Sequence, residues 1–285
     1  MAEPARAFVV GHPIGHSRSP LIHRFWLDTL GLAGTYEPLD IAPYDFPVFL
    51  AGLAASRWAG GNITIPHKEA AFAAIEHRDA AADAIGAVNT IWQEGANLVA
   101  GNTDAYGFAA NLDDQTPQWR GGHRALVIGA GGASRAILQA LGDAGYHRID
   151  LANRTLDRAV DLADRFGPSI HPYPLSKIDE LATSADLIVN TSSLGMAGAR
   201  PLTLDFSKAS DETIVTDIVY APLVTPMLAA ARERGLAVCD GLGMLLHQAV
   251  PGFERWFGIR PQVTSELRAH IVADLERKTT GDKAS

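Results

Sequence analysis

The sequence predicts an α/β chain of two domains, and three observations carry that prediction. Short apolar runs alternate with stretches patterned as helices along most of the 285 residues, the order expected of mostly parallel sheets. A glycine-rich turn, Gly129-Ala130-Gly131-Gly132-Ala133, stands near the middle, between an apolar run and an Ala-rich helix. A polar stretch at 116–123 precedes that run and reads as a linker.

In the first part, 7–10 reads as a strand, and Ser19-Pro20 opens a helix that runs to Leu30. Ser19 is placed to be its N-cap, with Pro20 at the first helical position. Strand 35–41 and helix 44–56 follow, then strand 61–65 and helix 66–76, the last again started by a proline. Runs 87–93 and 98–100 read as a hairpin about 94–97. Helix 108–115 crosses to the second part.

There the strands are 125–128, 149–152, 187–191, 213–219 and 237–239. The helices are 132–144, 155–166, 178–182 and 225–234, and the Pro-rich 168–174 reads as a connection. Helices 244–257 and 264–277 close the chain and are expected to pack back on the first domain. The expected division is 1–105 with 243–285 returning to it, and 106–242 between them. The polar tail 279–285 is expected to fray.

A net charge of −8 argues against nucleic acid and anionic membrane surfaces as partners, so an anionic ligand must be held by local groups. The single cysteine, Cys239, cannot form an internal disulfide, and no Cys/His cluster has zinc spacing. Run 7–10 is cut short by Gly11-His12-Pro13, unlike a signal peptide. No run approaches the roughly 18 apolar residues of a membrane span. The expectation is a cytoplasmic protein with a small-molecule substrate, without metal, membrane or nucleic acid. Association as a homodimer stays open.

The order strand, glycines, helix N-terminus suits a pyrophosphate, because glycines let backbone N–H groups approach the oxygens and the helix dipole stabilises the anion. Gly129 and Gly131 occupy the first two positions of G-x-G-x-x-G, while the third is Ser134. The next strand ends in Asn153-Arg154-Thr155, with Arg158 one turn on. An NAD site usually has a carboxylate there for the ribose. A guanidinium suits a 2′-phosphate instead, which favours NADP; a solvated helix start is the plainer reading of the same residues.

Ser17 and Ser19 offer two hydroxyls near the end of the first strand, where ligands of open α/β sheets sit. They can hold a carboxylate, or merely cap the following helix. Lys68 falls in the first turn of helix 66–76, where the dipole disfavours a cation; a substrate or a carboxylate such as Asp104 would compensate. Asn89 and Asn102 lie on the arms of the hairpin, and amides suit a polyhydroxylated ring.

Gly11-His12-Pro13-Ile14-Gly15-His16-Ser17-Arg18-Ser19-Pro20, Asn62-Ile63-Thr64-Ile65-Pro66-His67-Lys68, Gly86-Ala87-Val88-Asn89-Thr90 and Asn102-Thr103-Asp104 resemble successive signatures of the shikimate dehydrogenase family. Asn153-Arg154-Thr155, Asp217-Ile218-Val219-Tyr220 and Gly241-Leu242-Gly243-Met244-Leu245 continue the series in the family's order. The resemblance implies an N-terminal substrate domain and a Rossmann-type NADP domain. It also implies an oxidoreductase interconverting 3-dehydroshikimate and shikimate, a step of chorismate and aromatic amino acid biosynthesis.

By resemblance, Lys68 and Asp104 form the catalytic dyad, and Ser17, Ser19, Thr64, Asn89, Tyr220 and Gln248 bind substrate. Gly129, Ala130, Gly131, Gly132, Ala133, Asn153, Arg154, Thr155, Arg158, Thr191, Ser192, Gly241 and Met244 fall at cofactor positions. Arg18, where the family usually has an apolar residue, and His247, where glutamate is common, depart from it. The other readings are an NAD-preferring quinate/shikimate dehydrogenase, an aminoshikimate dehydrogenase, and a non-catalytic NADP-binding regulatory relative.

Overall fold

The computed structural model describes residues 3–281 except Ala96. The chain divides into two compact units, Met1–Thr103 with Gln248–Ser285, and Asp104–His247.

The first unit begins β1 (Ala5–Gly11), α1 (Ser19–Thr29), β2 (Gly34–Asp40), α2 (Phe46–Gly52), β3 (Gly60–Ile63) and α3 (Lys68–Ala74). It continues with β4 (His77–Arg78), α4 (Ala80–Ile85), β5 (Thr90–Glu94) and β6 (Asn97–Gly101). The second unit starts with α5 (Asp104–Gln115) and runs β7 (Arg124–Ile128), α6 (Gly132–Asp143), β8 (Arg148–Asn153), α7 (Leu156–Phe166), β9 (Ile170–Pro174) and α8 (Ile178–Ala182). It ends β10 (Leu187–Asn190), β11 (Ile214–Asp217), α9 (Pro226–Glu233), β12 (Ala237–Cys239) and α10 (Leu242–His247). Then α11 (Val250–Phe257) and α12 (Ser265–Gly281) return to the first unit.

The first sheet has the order β2-β1-β3-β5-β6-β4. β1 is parallel to both neighbours, while β3, β5 and β6 run antiparallel in turn. Ala7, Phe8, Val9 and Val10 are all buried, as a strand covered on both faces requires. One face packs Phe8, Val10, Ile63 and Ile91 against Phe46 and Leu50 of α2. The other packs Ala7, Val9 and Tyr36 against Trp256 of α11, whose indole Nε1 donates to the Ile91 carbonyl at 2.9 Å. α12 is tied in by the segment before it, since Trp26 Nε1 donates to the Gln262 carbonyl at 3.0 Å.

The second sheet is parallel throughout, ordered β12-β11-β10-β7-β8-β9. Its two halves run outward from the β7–β10 pair, the doubly wound arrangement whose crevice lies at the carboxyl ends of the central strands. Leu126, Ile128, Ile188 and Val215 pack under Leu228 and Leu236.

Several elements differ from expectation. The Pro-rich 168–174 contains a strand, β9, which pairs with β8 at the sheet edge; prolines are tolerated there because one side of an edge strand needs no partner. Helix α4 was not anticipated, although Asp79 caps it by accepting from Ala82 N at 2.7 Å and the left-handed Gly86 ends it. The helix expected at 66–76 begins only at Lys68, after a cis Ile65–Pro66 peptide. The single helix expected at 244–257 is two, α10 and α11, separated by Gln248 and Ala249. Of the tail expected to fray, 279–281 belong to α12, and 282–285 lie outside the described residues.

Candidate functional site

In the first unit, the candidate residues gather at the carboxyl ends of β1 and β3, which are hydrogen-bonded neighbours. Ser17 is half-buried and Ser19 buried. The turn between them is built from Ser17 N donating to the Ile14 carbonyl at 2.9 Å and Ser19 N donating to Ser17 Oγ at 3.3 Å. Ser19 is therefore the first helical residue and not the cap; that position belongs to Arg18, in αR conformation. Upstream, Asp40 holds the loop by accepting from His12 Nδ1 at 2.6 Å and from Ile14 N at 3.2 Å. These bonds, the His12 one foremost, hold the Asp40 carboxyl below its ordinary value.

Thr64 follows β3 and is half-buried; its N–H donates to the Val10 carbonyl at 2.9 Å, and its carbonyl accepts from His67 N at 2.9 Å. That turn delivers Lys68, half-buried, as the first residue of α3. The His67 ring, stacked on Phe46 at 4.2 Å, bonds the Ile41 carbonyl at 2.7 Å and steadies the turn from below.

Asn89 sits one residue before β5 and Asn102 one residue after β6, just off the hairpin arms on which they were expected. Asn89 is buried, and its Oδ1 accepts from Thr103 N at 2.9 Å and Thr90 Oγ1 at 2.8 Å. Behind it, Asn62 Nδ2 donates to the Asn89 carbonyl and to Thr90 Oγ1, both at 3.1 Å, and Tyr36 OH donates to Asn62 Oδ1 at 2.5 Å. The Tyr36 ring stacks on His23 at 3.9 Å. Burial pushes the His23 imidazole down to about 3, so it serves this network as a neutral aromatic plate. Thr103 Oγ1 also donates to the Gln248 carbonyl at 2.8 Å, which fixes Gln248 in the turn after α10. The sequence places it within the helix expected over 244–257.

Asp104, half-buried, is the first residue of α5. A carboxylate there is favoured by the helix dipole, whereas Lys68 at the start of α3 is disfavoured by its own.

In the second unit, β7 ends in Gly129, whose φ of +111° suits only glycine; a Cβ there would also come within 2.8 Å of Thr191 Oγ1. Ala130 is half-buried, and its N–H donates to Asn153 Oδ1 at 3.2 Å, joining the glycine turn to the end of β8. Gly131 and Gly132 are exposed, with nothing within 4 Å of where a Cβ would stand. Gly131 is the N-cap of α6 and offers no side-chain cap, so the first-turn N–H groups are left for a ligand or water. Gly132 and the half-buried Ala133 form that first turn. Ser134, the departure from the glycine pattern, is fully buried and donates to the Gly131 carbonyl at 2.6 Å, shaping the turn from inside.

Arg154, Thr155 and Arg158 are exposed around the N-terminus of α7. Asn153 Nδ2 donates to the Thr155 carbonyl at 2.8 Å, so this rim is pinned by the same side chain that holds Ala130. The glycine turn thus has the open cradle a pyrophosphate needs, and the two guanidinium groups supply the charge a 2′-phosphate needs. The residues present fit NADP.

Thr191 is buried, with its hydroxyl 3.0 Å from both the Ile128 and Gly129 carbonyls; Ser192 is half-buried beside it. Ser192 Oγ donates to Asn190 Oδ1 at 2.7 Å. Gly241 lies so close to β11 that a Cβ would stand 2.5 Å from the Ile218 carbonyl. Tyr220 and Met244 are half-buried, the latter in α10.

Asp217 has no role in the sequence reading beyond its place in the motif ending at Tyr220, yet it organises these loops. Fully buried, it accepts from Asn190 Nδ2 at 2.9 Å, Val219 N at 3.0 Å and Thr225 Oγ1 at 2.8 Å. Burial raises its carboxyl above the ordinary value despite these donors. The further signal in the sequence is an aspartate closing an apolar run. Among the described residues, no group of three or more His, Cys, Asp and Glu could hold a metal ion, and no helix is long and apolar enough to cross a membrane.

Three family models match the chain: "Shikimate dehydrogenase substrate binding domain" over residues 9–91, "Shikimate / quinate 5-dehydrogenase" over 114–220 and "Shikimate 5'-dehydrogenase C-terminal domain" over 241–265. A relative from Mesorhizobium japonicum named shikimate dehydrogenase (NADP(+)) is 59% identical over 273 residues, covering 96% of this chain and 98% of its own. A shikimate 5-dehydrogenase from Thermus thermophilus, solved in complex with NADP(H) and shikimate, superposes with a TM-score of 0.82 at 37% identity, covering 96% of this chain and 99% of its own. A quinate dehydrogenase from Corynebacterium glutamicum, in complex with NAD, gives 0.86 at 27% identity, covering 95% and 100%. With serine turn, helix-start lysine, glycine cradle and arginine rim in this order along one chain, and with these likenesses over its length, the protein belongs to the shikimate dehydrogenase family.

Proposed function

We propose that the chain catalyses the NADP-dependent, reversible reduction of 3-dehydroshikimate to shikimate. The observation that carries the cofactor choice is the end of β8, where Asn153 is followed directly by the exposed Arg154, with Arg158 one turn on, and not by a carboxylate. The substrate choice is supported by the serine turn and the Asn89 network, and by relatives named as NADP(+) enzymes.

In this reading, Ser17 and Ser19 hold the ring carboxylate with their hydroxyls at the start of α1. Thr64, Asn89, Tyr220 and Gln248 bind the ring hydroxyls. NADP, when bound, would supply the hydride chemistry at the ring carbon that is a carbonyl in 3-dehydroshikimate and an alcohol in shikimate. Lys68 Nζ gives a proton to the oxygen during reduction and recovers it during oxidation, and Asp104 is the second residue of the proposed dyad.

On the cofactor side, Gly129, Ala130, Gly131, Gly132 and Ala133 cradle the pyrophosphate. Asn153, Arg154, Thr155 and Arg158 take the adenosine phosphate end. Thr191, Ser192, Gly241 and Met244 border the nicotinamide end. The reading is of a cytoplasmic enzyme with a small diffusible substrate.

Ser17→Ala and Ser19→Ala test the carboxylate assignment. Each is expected to raise KM for shikimate by about tenfold, the loss of one hydrogen bond to a charged group, while KM for NADP holds. An unchanged KM for shikimate in both variants would remove the serines from the site.

A further inference from the structure

Arg18 lies between the two serines, where a cation would be expected to meet the substrate carboxylate directly, yet its side chain is spent elsewhere. It is only 8% exposed, and its Nε stands 2.7 Å from Oδ2 of Asp274, in α12. Its Nη1 donates to the His16 carbonyl at 2.9 Å. Its own carbonyl accepts from Leu21 N at 3.0 Å and Ile22 N at 3.2 Å. The side chain therefore reaches back past Ser17 to His16, and the backbone reaches forward past Ser19 into α1.

We propose that Arg18 and Asp274 form a positioning pair that fixes the serine turn, so that the C-terminal helix takes part in recognising the substrate carboxylate without touching it. This rests on the reading of Ser17 and Ser19 as carboxylate ligands. Burying an ion pair costs desolvation on both sides, and a well-packed apolar pair commonly serves stability as well or better. What an apolar pair cannot supply is the directed bond to the His16 carbonyl, which sets where Ser17 stands. Asp274 also balances the guanidinium charge locally, with Arg277 Nη2 as its more distant second partner at 3.8 Å.

The test is the double variant R18M/D274L, with Asp274→Asn beside it, read by melting temperature and by separate KM values for shikimate and NADP. A positioning role predicts that the double variant melts within a few degrees of the parent while KM for shikimate rises about tenfold and KM for NADP holds. Parental KM for shikimate in a stable double variant would overturn the proposal and leave the pair a packing feature. If the double variant does not fold, Asp274→Asn decides by the same two constants, with a several-fold rise expected for shikimate alone. Failure of the underlying reading would look different: Ser17→Ala and Ser19→Ala would leave KM for shikimate unchanged, whatever Arg18 did.

Discussion

The strand ends of the two units solve recognition in opposite ways. In the first, polar side chains are buried and committed to one another: Asn62, Asn89, Thr90 and Thr103 are each no more than 9% exposed and linked by direct hydrogen bonds. In the second, the rim is exposed backbone and exposed cations, Gly131, Gly132, Arg154 and Arg158. A small polyhydroxylated acid offers few atoms, so discrimination needs groups held in place beforehand. A dinucleotide offers diffuse phosphate charge, which open N–H groups and long guanidinium arms can gather on arrival. In the proposed reading, Lys68 acts at the rigid end and the open end supplies affinity for the cofactor.

Lys68→Ala should break the contrast hardest. Turnover is expected to fall roughly 10²-fold or more, the scale of a lost acid–base group, with little change in melting temperature, because a cation at a helix start opposes the dipole. Turnover that survives while KM for shikimate alone rises would make Lys68 a binding group. Gly129→Ala tests whether the open end has a rigid hinge of its own. The positive φ and the Thr191 hydroxyl both resist a Cβ, so a stability loss of about 1–3 kcal/mol is expected in chemical denaturation. Arg154→Ala should raise KM for NADP about tenfold and leave KM for NAD unchanged. An equal rise for both would detach Arg154 from the 2′-phosphate.

The smallest effect concerns Asp217. Its carboxyl is raised in the folded state, so its contribution is fully present below the ordinary carboxylate range and is lost as pH rises through the folded value. Asparagine can accept from Val219 N and Asn190 Nδ2 and donate to Thr225 Oγ1 without titrating. Asp217→Asn should therefore gain on the parent by a few degrees in melting temperature as pH rises from the carboxylate range to neutrality. A pH-independent difference would show that the carboxyl titrates as it does unfolded.

What the sequence disclosed was what is local in the chain. The glycine turn, the two serines and the helix-start lysine are contiguous motifs whose chemistry follows from residue type and neighbours. The shapes that place them were less legible. The Asp217 hub joins residues 190, 217 and 225, which only the parallel pairing of β10 with β11 brings together. Arg18 stands out in the sequence only as a departure from the family pattern, because its partner, Asp274, lies near the other end of the chain. The β9 strand was hidden by its prolines, and the break between α10 and α11 by an apolar pattern that continues across Gln248.

The most direct measurement is nicotinamide absorbance at steady state for four mixtures, shikimate or quinate with NADP or NAD. The account predicts fast turnover with shikimate and NADP, and kcat/KM lower by at least about tenfold when NAD replaces NADP or quinate replaces shikimate. Comparable kcat/KM with quinate would contradict shikimate as the preferred substrate, and comparable kcat/KM with NAD would contradict the role given to Arg154.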